Sequence, residues 1–226
     1  MITIHPRQEP NARTGCGEMN PGASSPALSS FRRSGDSVLC GIRTATMNPG
    51  EGDPARWDDN MEILTCVRQG ILSHCDSLGN EARVTTGELQ LLSAGTGVTH
   101  GEYNRESDIL EYVQVWLHPD TRNSEPGYQC GRLANCHGLT LIASPDGAAG
   151  SLRIRQAVHL WWGRLEDDQP LTTTLHGTAA WLQLMKGTLV INDVRLPAGA
   201  GADITLESTL TLNAHGSAEF LLLDLT

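Results

Sequence analysis

The stretch that decides the fold is residues 62–104, "EILTCVRQGILSHCDSLGNEARVTTGELQLLSAGTGVTHGEYN". Its apolar runs are short and are cut by Gly, Asn, Ser and Thr, which is the signature of strands rather than of a 3.6-residue helical stripe. "DSLGN" at 76–80 has the composition of a hairpin loop, because Gly79 and Asn80 tolerate the positive φ such loops need. A glycine-rich turn, "SAGTG", then leads into a further strand that carries His100 and Glu102.

The same texture extends in both directions. Upstream lie "SVLCGIRTATM" and the turn-to-strand segment "GDPARWDDNM", and downstream "ILEYVQVWLHP". After a polar excursion, "PDTRNSEPGYQCGRLANCHG", a second series of strands begins with "LTLIASPDG" and runs to "AEFLLLDLT". In "SLRIRQAV" alternation puts Leu152, Ile154 and Gln156 on one face, as in a half-buried strand. "LTCVRQGILSHCD" and "LQLMKGTLVIND" share a layout of apolar strand, basic or polar pair, glycine and second strand, so two copies of one small barrel are expected. The expected organisation is a lead-in of poorly ordered or surface-hugging chain at 1–36, rich in Pro, Gly and Ser, then one barrel at 37–120, a linker at 121–138 and a second barrel at 139–226.

A chain of 226 residues can bury a sizeable core, either as one large β domain or as two smaller ones. Its net charge of −10 comes without any Lys/Arg-rich run, which argues against direct binding to nucleic acid or to an anionic membrane surface. No run of about 18 apolar residues occurs, and "MITIHPRQEP" lacks the basic and apolar regions of a secretory signal, so a cytoplasmic protein is expected. The six cysteines have no CxxC spacing and read as free thiols in a reducing compartment. "CGRLANCH" (Cys130, Cys136, His137) matches no zinc ligand pattern. Cys66 falls inside a strand, whereas Cys75 near the hairpin is more accessible. No GxSxG nucleophile motif is present, and "GTG" at 95–97 lacks the strand-to-helix setting of a phosphate loop.

Residues 62–104 strongly resemble the pirin family, which carries a glutamate-led strand, a "DSxGN" hairpin and an "SAGxGxxHxE" segment. "LIASPDGAAGSLRIRQAVHLWW" is similar to the corresponding part of the YhaK-type bacterial branch, so the resemblance spans most of residues 40–226. It implies an all-β bicupin: two antiparallel β-barrels of the jelly-roll type packed face to face, with any metal in the N-terminal one. It also implies metal ligands consisting of an HxH pair and a later His and Glu. The later pair falls on His100 and Glu102, the HxH pair on Arg56 and Asp58, and the family's glutamate before the strand on Glu62.

Arginine has no lone pair to donate and stays protonated, so Arg56 cannot ligate a cation and would repel one if it pointed inward. Three readings follow. In the first, the usual metal site is lost: the Arg56 guanidinium supplies the missing positive charge by pairing with Asp58, Glu62 or Glu102, no metal is expected, and the protein binds a small molecule or a protein partner in stress or redox regulation. In the second, Asp58, His100 and Glu102 hold iron, manganese or nickel with open positions, giving a quercetinase-like dioxygenase with Glu62 as the candidate catalytic base. In the third, the cavity is vestigial and the protein is an interaction module. His74, beside the hairpin, reads as a surface residue. In the second barrel Thr173 and Leu175 fall where Arg56 and Asp58 stand in the first, His176 misses that register by one, and no metal is expected there. Trp161 and Trp162 read as packing residues, and a monomer is the expected state.

Overall fold

A computed structural model describes residues 1–7, 27–32, 38–133, 137–167 and 169–225. Among them the only helical element is a single 3-10 turn at Ala148–Gly150, and no helix is long and apolar enough to cross a membrane. The chain divides into two compact units: Glu9–Arg132 with Ile154–Gln156, and Met1–Gln8, Leu133–Arg153 and Ala157–Thr226.

In the second of these, β1 (Ile2–His5) joins β12 (Gly138–Ser144), β13 (Leu152–Arg153), β14 (Val158–Leu165), β15 (Leu171–Thr174), β16 (Ala179–Ile191), β17 (Val194–Pro197), β18 (Gly201–Thr205) and β19 (Thr209–Leu225). β16 and β19 pair along most of their length, and their inward Leu184, Leu189, Ile191, Leu212, Phe220 and Leu222 form one closed apolar core. Residues 2–5, expected in the lead-in, pair with β18 as an ordered strand, because "ITIH" offers three β-branched side chains to the pleat. Most of the remaining lead-in, residues 8–26, lies outside the described residues, as does Cys16. Trp162 is buried and Trp161 packs against the core.

The N-terminal unit positions the site. It holds β2 (Ala27–Arg32), β3 (Leu39–Met47), β4 (Gly52–Asp58), β5 (Glu62–Gln69), β6 (Ile71–Asp76), β7 (Glu81–Thr85), β8 (Glu88–Ser93), β9 (Val98–Tyr103), β10 (Leu110–Leu117) and β11 (Gly127–Arg132). These form a six-stranded sheet, β11-β8-β5-β10-β3-β2, and a four-stranded sheet, β4-β9-β6-β7. These two sheets form the expected antiparallel unit of the jelly-roll type, with the sheets open at their edges rather than joined into one ring.

Local chemistry fixes the turns. Gly79 takes φ +87° in the β6–β7 hairpin, but Asn80 does not share its positive φ. The Asn80 backbone and side-chain amides instead donate to the Asp76 carboxylate, which also accepts from Leu78 N, so Asp76 ties the loop from within. In "SAGTG" both glycines are obligatory: Gly97 has φ +134°, and a Cβ there would fall 1.8 Å from the Trp57 ring.

Candidate metal centre

β9 lies at the middle of the four-stranded sheet, and its register gathers the polar groups into two rows. Glu102 faces Asp53 of β4 on one side and His74 of β6 on the other. His100 faces Arg56 and Asp76 in the next row. Asp53 and Arg56 are three residues apart and would face opposite ways in a regular strand. A bulge over Pro54 and Ala55 absorbs the odd residue, and proline, with no N–H to leave unpaired, suits that position.

A second polar row crosses the six-stranded sheet. Arg43 pairs with Gln114, Gln114 with Thr65, Thr65 with Gln90, and Gln90 with Cys130. The first four are buried, and three of them bind Glu102. Gln90 Nε2 donates to Oε1 at 2.7 Å, Gln114 Nε2 to Oε2 at 2.7 Å, and the Thr65 hydroxyl lies 3.4 Å from Oε1. A buried carboxylate is costly unless its lone pairs are met, and these uncharged donors fix both oxygens of Glu102 in place.

Positive charge comes to Glu102 from a residue that sequence reasoning missed. Arg43 is buried, donates to Asp53 Oδ2 at 3.0 Å and to the Tyr112 hydroxyl, and lies with its guanidinium 5.5 Å from the Tyr112 ring centre. Burial works against its charge, but the fields of Tyr112, Asp53 and Glu102 outweigh it and hold the Arg43 pKa above its ordinary value. Burial pushes the Tyr112 hydroxyl upward as well.

Arg56 makes the first of the three pairings named for it, with Asp58, and reaches neither Glu62 nor Glu102 with a hydrogen bond. Its Nε donates to Asp58 Oδ2 at 2.9 Å, and both side chains remain about a fifth to a quarter exposed. The same Asp58 oxygen lies 2.8 Å from His100 Nε2. Desolvation opposes ionisation of Asp58, yet the His100 hydrogen bond and the Arg56 pair hold its pKa below the usual carboxylate value.

His74 is the main departure from expectation. It is not a surface residue: it is 3% exposed, its Nε2 lies 3.1 Å from Asp76 Oδ2, and its ring stacks on Tyr128 at 4.7 Å. The reason is the β6–β9 pairing, which sets His74 opposite Glu102 and turns it inward. His74, His100 and Glu102 each bring a donor atom to within 4.8 Å of the other two, the one such cluster among the described residues. Asp58 is not part of this convergent set; it stands behind His100. Glu62 does not reach it either. Three residues before Thr65 on a regular strand, Glu62 faces the opposite side of its sheet, where it accepts from the Ser93 hydroxyl at 2.8 Å and from the Arg155 backbone N–H at 3.3 Å. Burial raises its pKa.

Cys66 is buried and Cys75 half-buried. Cys130 is exposed and meets the Tyr128 hydroxyl at 3.4 Å, while Cys136 lies outside the described residues.

The donor set accommodates a metal ion. Each histidine presents Nε2 to a carboxylate, Asp76 or Asp58, and each leaves a buried Nδ1 with no partner. A carboxylate on one imidazole nitrogen selects the tautomer whose other nitrogen carries a free lone pair, the arrangement that supports metal-ligating histidines. The direct ion pairs of these two arginines are Arg56 with Asp58 and Arg43 with Asp53; Glu102 receives only the field of Arg43, and a divalent cation would balance the negative charge left on Glu102 and Asp76.

Two facing β-sheets with a histidine and a glutamate as candidate ligands on a central strand, followed by a second β-unit, define a two-domain cupin. Residues 39–117 match the family described as Pirin, and residues 141–225 match the quercetinase C-terminal cupin domain. The chain belongs to the pirin family. It is 36% identical over 193 residues to "Quercetin 2,3-dioxygenase" of Escherichia coli strain K12, covering 84% of each chain. It is 35% identical over 191 residues to "Pirin-like protein YhaK" of the same organism, covering 81% of each. The crystal structure of the bacterial pirin YhhW from Escherichia coli in complex with nickel(II) superposes with a TM-score of 0.86 at 31% identity, covering 100% of this chain and 99% of that one.

Proposed function

We propose that the N-terminal unit binds a divalent transition metal through His74, His100 and Glu102, and that the protein is a quercetinase-like oxygenase with an altered ligand set. The observation that carries this reading is the pair of buried, unpartnered Nδ1 atoms, each on an imidazole oriented by a carboxylate, beside a glutamate whose two oxygens are already fixed. Two imidazoles and a carboxylate suit iron, manganese or nickel and leave coordination positions for substrate. When bound, such an ion polarises a substrate oxygen as a Lewis acid.

The protein's own residues supply the rest. Asp76 and Asp58 orient the imidazoles, and Gln90, Gln114 and Thr65 orient Glu102. Asp58 replaces Glu62 as the candidate acceptor for a substrate hydroxyl proton, although its depressed pKa makes it a weak base. Relatives named as quercetin 2,3-dioxygenases support a flavonol as the substrate class.

The test is metal content after purification without chelator, followed by oxygen uptake with a flavonol. About one equivalent of metal, with flavonol-dependent uptake, is expected. Failure to retain iron, manganese or nickel at neutral pH, even when supplied, overturns the reading. That result would favour a metal-free small-molecule or partner-binding role, for which one observation also speaks: the Arg56–Asp58–His100 chain puts a cation where the family's first histidine falls.

A further inference from the structure

Tyr128 sits on β11, at the edge of the six-stranded sheet, yet it touches two separate parts of the metal centre. Its ring stacks on His74 with centroids 4.7 Å apart and planes 20° from parallel. Its hydroxyl donates to Gln90 Oε1 at 2.7 Å, and the Nε2 of that same amide donates to Glu102 Oε1 at 2.7 Å. The Cys130 thiol meets the phenol oxygen at 3.4 Å, filling its remaining acceptor capacity.

We infer that Tyr128 is a positioning residue for two proposed ligands at once, holding the His74 ring by its face and fixing the Gln90 amide so that the nitrogen end meets Glu102. This rests on the metal reading above. An amide offers an acceptor at one end and donors at the other, and a half-turn exchanges them. A hydroxyl donor at Oε1 leaves Nε2 as the end that faces the carboxylate, so Gln90 is specified from both sides. Outer partners of this kind matter because ligand orientation is part of metal affinity.

Tyr128→Phe separates the two roles, since it keeps the ring on His74 and removes only the hydroxyl. Calorimetric titration with Ni²⁺ should show affinity about tenfold weaker, the low end of the effect expected for an outer partner. Because the hydroxyl acts through Gln90, adding Tyr128→Phe to Gln90→Leu should cost nothing further. Tyr128→Leu, which also removes the stacking ring, should weaken binding beyond Tyr128→Phe. Unchanged affinity in Tyr128→Phe, or independent multiplication of the Tyr128→Phe and Gln90→Leu losses, overturns the inference.

The side-chain amide resonances of Gln90 in metal-free protein give a second readout. Movement of that NH2 pair toward free-amide positions in Tyr128→Phe supports the positioning role, and an unmoved pair overturns it. If the wild-type protein takes up no Ni²⁺, the proposed function fails, while the amide resonances still decide what Tyr128 does.

Discussion

Replacing His74 with phenylalanine separates the three-residue site from a site built on Asp58, His100 and Glu102. The ring stacked on Tyr128 is kept, and the imidazole nitrogens are lost. Asp76 is not orphaned, because it still accepts from Asn80 Nδ2 at 2.9 Å and from the backbone of Leu78 and Asn80. The metal-free variant therefore loses one hydrogen bond to a charged group, roughly 1.5–3 kcal/mol at most, offset in part because the unpartnered Nδ1 disappears with it. The metal-dependent term is the informative one. At a metal concentration about 100 times the dissociation constant, wild-type protein gains about 2.7 kcal/mol, or roughly 5–11 °C in the melting temperature of a chain this size. Loss of a ligand should weaken binding at least about 100-fold, which at the same concentration cuts the gain to about 0.4 kcal/mol. Thermal melts with and without Ni²⁺, paired with calorimetric titration, measure both quantities. If His74→Phe keeps the full metal-induced shift and the wild-type dissociation constant, His74 is not a ligand, and the two-histidine, one-glutamate site is wrong.

Other expectations concern the groups around that site. The double variant Arg56→His with Asp58→His rebuilds the family's HxH pair and should tighten Ni²⁺ binding, which calorimetry reads directly; no gain would mean that the β4 segment no longer reaches the ion. Arg43→Met strips Asp53 of its buried partner and should cost about 3–5 kcal/mol in denaturant unfolding, with Asp53→Asn recovering part of it. Because the folded-state pKa of Glu62 is raised above 4.5, its contribution favours the folded state below that value and is lost as pH climbs through the raised one. Glu62→Gln should remove that decline from a pH–stability curve while leaving metal uptake unchanged; loss of metal or of flavonol turnover would restore Glu62 to the site. Asp58 has the opposite sign: its depressed pKa gives stability that is present above 3.8 and lost as pH falls through the lower folded value, so Asp58→Asn should flatten the acid limb of the same curve.

What could be read from the residues alone follows from which patterns are local. The hairpin at 76–80, the "SAGTG" turn and the short apolar runs are local, and they lead to a β-fold with His100 and Glu102 on one strand. Asn80 takes the other of two roles its residue type offers in a loop, bonding its neighbours rather than adopting a positive φ. His74 depended on something non-local. Its inward direction comes from β6 pairing with β9 rather than from any neighbour in sequence, and a histidine two residues from a hairpin otherwise reads as exposed. Glu62 failed for a related reason: leading a strand beside the site says nothing about which sheet face it takes, and parity with Thr65 settles that only once Thr65 is seen to hold Glu102.

The row Arg43, Gln114, Thr65 and Gln90 did have a sequence signal: a polar residue beside apolar ones near the middle of each of four strands. Such residues are expensive to bury unless they share a partner. Four of them on four neighbouring strands point to charged groups on the facing sheet, where three meet Glu102 and Arg43 meets Asp53. Once that row is recognised, the charge problem posed by Arg56 divides in two. Arg43 supports Glu102 from inside the sandwich, and Arg56 is left to pair with Asp58 near the surface. An arginine where the family has a histidine therefore does not by itself exclude a cation from the His74, His100 and Glu102 cluster. Glu102 lies in the field of Arg43, and the imidazole absent from position 56 has a counterpart in His74, two strands away across β9.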